Sequence, residues 1–198
     1  INFVGKKKIY KLDTMEELLD VIDKFKKGNY TDTIIIQEYI PGDDSHLFDA
    51  VVYADKNKKV KMVSFAQIGL QEHAPRMIGN AAVIINGYSQ YPGVEEQIEK
   101  IRKFTEKIGY QGFAEFDMKY DARDGKYKVM EINARQGRCS YYITPAGFNL
   151  IELLYKDLIE GKELKYKICD KEVLETFVPK CVVKKYITNE EFLSLIHI

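Results

Sequence analysis

The feature that most constrains this chain is a pair of alternating runs, residues 114–120 and 126–133, joined by the turn Asp121-Ala-Arg-Asp-Gly125. In the first run Ala114, Phe116, Met118 and Tyr120 alternate with Glu115, Asp117 and Lys119, the period of two of a half-buried strand. Asp124-Gly125 supplies the positive backbone angle that a tight hairpin needs, so the second run folds back on the first. Closing the hairpin there is expected to bring Glu131 opposite or nearly opposite Glu115, with Asn133 two residues on and on the same side.

Like charges facing each other across strands are destabilising, and neither carboxylate gives up its charge cheaply. A hard divalent cation removes the conflict. Two carboxylates and an amide oxygen are ligands that magnesium uses when phosphates and water complete its octahedron. The alternation by itself fits equally well an ordinary hairpin with a solvated acidic face. The segment just past the hairpin favours the cation: Arg135-Gln-Gly-Arg138 sets two guanidinium groups beyond the acids, where an anionic phosphate or carboxylate would be held.

Glu115-Phe116, the hairpin, and Glu131-Ile-Asn133-Ala-Arg135 resemble the metal-binding signature of the ATP-grasp superfamily, an acidic residue followed after a variable hairpin by Glu-x-Asn-x-Arg. The resemblance is closest to the carboxylate–amine ligase branch that includes D-aspartate ligase and carbamoyl phosphate synthetase-like domains. Ala134 replaces the proline that often precedes the arginine, a departure that bears on loop stiffness more than on chemistry. Upstream, residues 34–44, Ile-Ile-Ile-Gln37-Glu38-Tyr-Ile40-Pro-Gly-Asp-Asp44, resemble the hinge strand and turn that hold adenosine in this superfamily. Without the resemblance they read as a buried strand of isoleucines ending in a Pro-Gly turn.

The resemblance implies that Gln37, Glu38 and Ile40 meet the adenine edge, largely through backbone groups, and that Asp44 accepts from the ribose hydroxyls. It implies a magnesium site, or manganese in its place, at Glu115, Glu131 and Asn133, with Glu131 touching both ions if two are bound. Arg135 and Arg138 would stabilise the transferring phosphoryl group. Arg76, in the loop 71–80, matches a phosphate-contacting position, or is a surface arginine; His73 in the same loop reads as a solvated side chain. Asp117, on the same face as Glu115, is a substitute ligand, a residue behind the ligands, or a solvated aspartate. The implied reaction is ATP-dependent: a small-molecule or peptide carboxylate attacks the γ-phosphorus, and an amine displaces phosphate from the acylphosphate to form an amide. A nucleotide-binding regulatory module without turnover is the alternative.

Length and composition agree with a globular enzyme piece. The chain has 198 residues, 45% of them apolar, enough to bury a sizeable core. Its net charge of zero offers nothing to nucleic acid or an acidic membrane surface. Cys139, Cys169 and Cys181 are odd in number and widely spaced, as expected of reduced thiols in a cytoplasm. No apolar run is long enough to span a membrane. A homodimeric assembly stays open.

Three helices are expected: one from Asp13-Thr14 with a capping box, one after Pro92-Gly93 ending at Gly109, and one from Asn149 to Gly161. Strands are expected at 60–70 and 177–186, giving an α+β fold with a mainly antiparallel sheet covered by helices. The chain opens on Ile1-Asn-Phe-Val-Gly5, before what looks like the strand following the family's phosphate loop. Residues 1–39 are accordingly expected to be the remainder of an N-terminal ATP-grasp subdomain and 40–198 the C-terminal one, in a fragment that lacks a substrate domain. Residues 191–198 read as an amphipathic helix.

Overall fold

The computed structural model describes residues 9–74 and 77–194. The first helix, α1 (Met15–Lys27), begins as the sequence indicates: the Thr14 hydroxyl accepts from the Glu17 N–H while the Glu17 carboxylate accepts from the Thr14 N–H. It buries Phe25 against Tyr10 and Tyr30. From Asn29 the chain runs to a short 3₁₀ turn at Asp44–His46 without joining the sheet. The hinge segment is therefore not a buried strand here; Ile34, Ile35 and Ile36 are exposed.

The sheet is built from β1 (Leu47–Ala54), β2 (Val60–Ser64), β3 (Ala66–Gln71), β4 (Ala81–Asn86), β5 (Gly112–Asp121), β6 (Lys126–Asn133), β7 (Lys167–Cys169) and β8 (Val173–Thr176). Its order is β6-β5-β1-β3-β4-β8, with β2 pairing β1 and β7, and every pair but β2–β7 antiparallel. The 60–70 run is thus two strands, not one, divided at Phe65. The division lets β1 pair with β2 at one end and β3 at the other. In the gap the Val51 N–H donates to the Ser64 hydroxyl, so no backbone donor of this buried strand is lost there.

All eight residues of β1 are buried, as a central strand covered on both faces requires. On one face Ala50, Val52, Phe116 and Met118 pack under α2 (Val94–Lys107), which presents Ile98 and Ile101 and ends before Gly109, at a positive φ of 68°. Burying such side chains stabilises by about 1.5–3 kcal/mol each. Farther along the same sheet, Val83 and Ile85 lie under Val183, Ile187 and Phe192 of α4 (Lys180–Tyr186), its exit and α5 (Glu190–Ser194). The 177–186 run is therefore largely helical rather than a strand: Val183 and Ile187 fall four apart on one buried face, and Pro179 stands at the start.

The opposite face is covered by Tyr142, Ile143 and Leu150. The helix expected from Asn149 is short, α3 (Leu150–Leu154), and widens into a π-turn at Tyr155–Ile159. There Asp157 is turned into the core, accepting from the Tyr53 hydroxyl at 2.7 Å and the Lys56 N–H at 3.0 Å. Cys139 and Cys169 are buried and Cys181 exposed, all three as free thiols. Among the described residues no helix is long and apolar enough to cross a membrane. These elements give an α+β fold with a mainly antiparallel sheet covered by helices, as the sequence indicates.

Candidate functional site

The acidic face of the hairpin is assembled by a bulge. Regular pairing outward from Asp121–Lys126 through Lys119–Lys128 would set Glu131 opposite Phe116 and turn it toward the apolar side. Instead the register shifts between Asp117 and Met118: Met118 pairs with Val129 and Asp117 with Glu131, leaving Met130 as the extra residue. Glu131 and Asn133 are thereby brought to the face of Glu115 and Asp117. The partner of Glu131 is Asp117, and that of Glu115 is Asn133, so Glu131 stands two residues along from the position opposite Glu115.

β1 adds a third row. Asp49 lies opposite Asp117 and Val51 opposite Glu115, which places Asp49 on the same face. Asp49 is 4% exposed, and its Oδ1 has no hydrogen-bond partner among the described residues. Burial, then the charges of Glu115 and Asp117, push its carboxyl well above the ordinary aspartate range. Burial and Asp117 likewise raise Glu115, against the pull of Arg135. Buried side by side, both carboxyls are held toward their protonated forms. Sequence reasoning missed Asp49, although one acid inside the otherwise apolar Leu-Phe-Asp-Ala-Val-Val-Tyr run was a legible signal.

Glu115 is the confined member. Its carboxylate takes the Arg135 guanidinium at 3.4 Å, and a Cβ on Gly137 would overlap it. Asp117 accepts from the Asn133 side-chain amide at 3.0 Å, and Glu131 is exposed. Arg135 also reaches the Asn133 side-chain oxygen at 3.3 Å, so it belongs to the cluster. Arg138 does not meet these groups in the contacts observed; it pairs with Glu72 at 3.2 Å and lies over Phe177. Arg76 lies outside the described residues.

The hinge residues border the same face. Lys119 follows Asp117 along it and donates to the Gly42 carbonyl at 2.7 Å. Glu38 pairs with Arg123 of the hairpin turn at 2.7 Å, while Gln37 is exposed and Ile40 half-buried. Asp44 accepts from the Gln71 N–H at 2.8 Å and faces His73 Nε2 at 3.1 Å. A strip thus runs from Arg135 through the acids and Lys119 to the hinge.

No family model matches the chain. It is 38% identical over 196 residues to D-aspartate ligase of Enterococcus faecium (strain Aus0004), covering 96% of this chain and 45% of that protein. N5-carboxyaminoimidazole synthetase from Staphylococcus aureus superposes on 82% of the chain with a TM-score of 0.58 at 14% identity, over 40% of its own length. This chain is a homologue of D-aspartate ligase with the ATP-grasp fold. It spans less than half the length of that relative. The biotin carboxylase domain of Hydrogenobacter thermophilus 2-oxoglutarate carboxylase is also similar, with a TM-score of 0.47 at 18% identity over 63% of this chain and 26% of its own.

The oxygen-only donors of the strip suit a hard cation, and the orphaned Asp49 oxygen is the kind of buried acceptor that such a charge would satisfy. Among the described residues no group of three or more His, Cys, Asp or Glu side chains is arranged to hold an ion alone.

Proposed function

We propose that this chain is the nucleotide- and cation-binding part of an ATP-dependent carboxylate–amine ligase, with residues 40–198 its C-terminal ATP-grasp subdomain. The observation that carries the reading is the strip itself: acids gathered by the Met130 bulge, capped by Arg135 at one end and bordered by the hinge at the other. Homology to D-aspartate ligase supports it and suggests an acidic amino acid such as D-aspartate as the carboxylate.

In this reading Glu115, Glu131 and Asn133 would hold magnesium or manganese, with Asp117, opposite Glu131, beside them. A cation held there would supply the charge that neutralises the phosphates. Arg135, already beside Glu115 and Asn133, stabilises charge on the transferring group. Gln37, Glu38 and Ile40 read the adenine edge, and Asp44 accepts from ribose. Arg138, on release from Glu72, would meet the phosphates or the acylphosphate, and Arg76 is assigned the same role by its place in the sequence. The substrate carboxylate would attack the γ-phosphorus with release of ADP to give an acylphosphate, from which the amine, losing a proton, displaces phosphate to form the amide.

The test is calorimetric titration of the intact protein with a non-hydrolysable ATP analogue and magnesium, together with phosphate release in the presence of D-aspartate and an amine. Magnesium-dependent binding with amine-dependent phosphate release is expected, and Glu131→Gln should abolish the release. Binding without release under any amine would establish the regulatory alternative, and no binding would remove both.

A further inference from the structure

Residues 31–43 make no strand pairing with the sheet, yet they contain the segment proposed to read adenine. Two cations of the β5–β6 hairpin tie them to the rest of the molecule. Lys119 Nζ donates to the Gly42 carbonyl at 2.7 Å and lies 5.1 Å from the centre of the Tyr39 ring. Arg123 reaches Glu38 at 2.7 Å while its other nitrogens are fixed by Asp121. Lys119 is 8% exposed, unusually deep for a lysine with no carboxylate ion pair among the described residues. Burial lowers its pKa, while Asp43 and Asp44 pull the other way, so the hinge acids help to keep the ammonium charged. Lys128, opposite Lys119 on the same face, turns instead to Asp121 and Asp124.

A buried ammonium costs several kcal/mol of desolvation unless it is hydrogen-bonded, and a lysine that served only to fill space would be replaced by an apolar side chain at no loss. Here the charge is spent on a backbone carbonyl at the Pro41-Gly42 turn and on an aromatic face one residue from Glu38. We infer that Lys119 is a positioning residue for the nucleotide, fixing the hinge against the strand that carries the cation ligands, with Arg123 as a second tie at Glu38. This rests on the nucleotide reading above and adds to it how the base pocket and the cation site are kept in register. A lysine acting through the hinge affects whatever grips the base and ribose, regardless of how many phosphates are attached. One touching phosphate directly would matter more for ATP than for AMP.

The experiment is titration of the intact protein with AMP and with a non-hydrolysable ATP analogue in magnesium, for wild type, Lys119→Met, Lys119→Arg and Tyr39→Leu. Lys119→Met is expected to weaken both ligands by a similar factor, about tenfold, corresponding to about 1.4 kcal/mol. Lys119→Arg, which keeps a donor and a cation over the ring, should recover most of the loss, and Tyr39→Leu should weaken both ligands alike. A loss that grows from AMP to ATP would make Lys119 a phosphate contact and overturn the inference, as would no loss in Lys119→Met. If Lys119→Met fails to fold, Tyr39→Leu decides by the same comparison. Wild type binding neither ligand would instead overturn the nucleotide reading, and the positioning role with it.

Discussion

Asp117 and Glu131 stand directly opposite each other across β5 and β6 because Met130 is left out of the pairing. A one-residue slip moves a whole strand segment to the other face of a sheet. Since Met130 is the residue already outside the ladder, deleting it should remove the bulge and keep Glu131 opposite Asp117 and Asn133 opposite Glu115 in a regular ladder, with the Asp121–Lys126 end of the hairpin in place. The expected result is a folded protein that keeps most of its magnesium-dependent affinity for an ATP analogue, since the oxygen donors stay together on one face. Circular dichroism and calorimetric titration check the two halves of that statement.

Gly137 is the second constraint on the acids. A methyl group there would overlap the Glu115 carboxylate, which is the far end of a flexible side chain and can turn away. Gly137→Ala should consequently cost the fold little, about 1 kcal/mol or less, because a side chain rather than backbone yields. Displacing Glu115 and its Arg135 partner should lower magnesium affinity by about tenfold. Thermal denaturation without metal, set beside titration with magnesium and an ATP analogue, separates the two effects.

How far the sequence could be read depends on what each residue answers to. The Thr14 capping box and the stop of α2 before Gly109 depend on neighbours in sequence and were legible there. The hairpin and its acidic face were also legible, but the pairing of Glu131 was not: the bulge that sets it has no local signature, since Met130 differs little in type from Val129 and Ile132. The 177–186 run misleads because Val182 and Val183 favour strand by propensity, while the packing of Val183 and Ile187 under the sheet decides for helix. Asp49 and Lys119 escaped the site list because each acts through a strand or turn distant in sequence: Asp49 through Glu115, Lys119 through Gly42.

The Asp49 carboxyl gives the fold a definite pH dependence in the absence of metal. Its value in the folded protein is raised well above the ordinary 3.8, so between those two values the folded state binds more protons than the unfolded state. Stability from this group therefore falls as pH rises from about 4, with a slope of up to about 1.4 kcal/mol per pH unit, and levels off once Asp49 ionises in the fold. Asp49→Asn has no such proton to lose. In EDTA the melting temperature of wild type should fall relative to Asp49→Asn as pH is raised from about 4 to 8, and a constant difference would mean that Asp49 titrates normally. Adding magnesium and an ATP analogue should narrow the gap, because a bound cation favours the ionised carboxylates.

Tyr53 and Asp157 supply a test of stability away from the strip. Tyr53, at the end of β1, is 1% exposed and Asp157, in the π-turn, 2%, and the tyrosine hydroxyl is one of two groups that donate to the aspartate carboxylate. Burial and this contact raise the tyrosine pKa, so the phenol stays a donor at neutral pH. Tyr53→Phe keeps the ring and its packing on Phe113 but leaves a buried carboxylate with the Lys56 N–H alone. The expected cost is about 1–3 kcal/mol, the usual penalty for stranding a buried acceptor, read as a lower urea midpoint at unchanged slope. Affinity for the ATP analogue should not change, since neither residue contacts the acids or the hinge. A midpoint equal to wild type would mean that Asp157 has found water or turned outward.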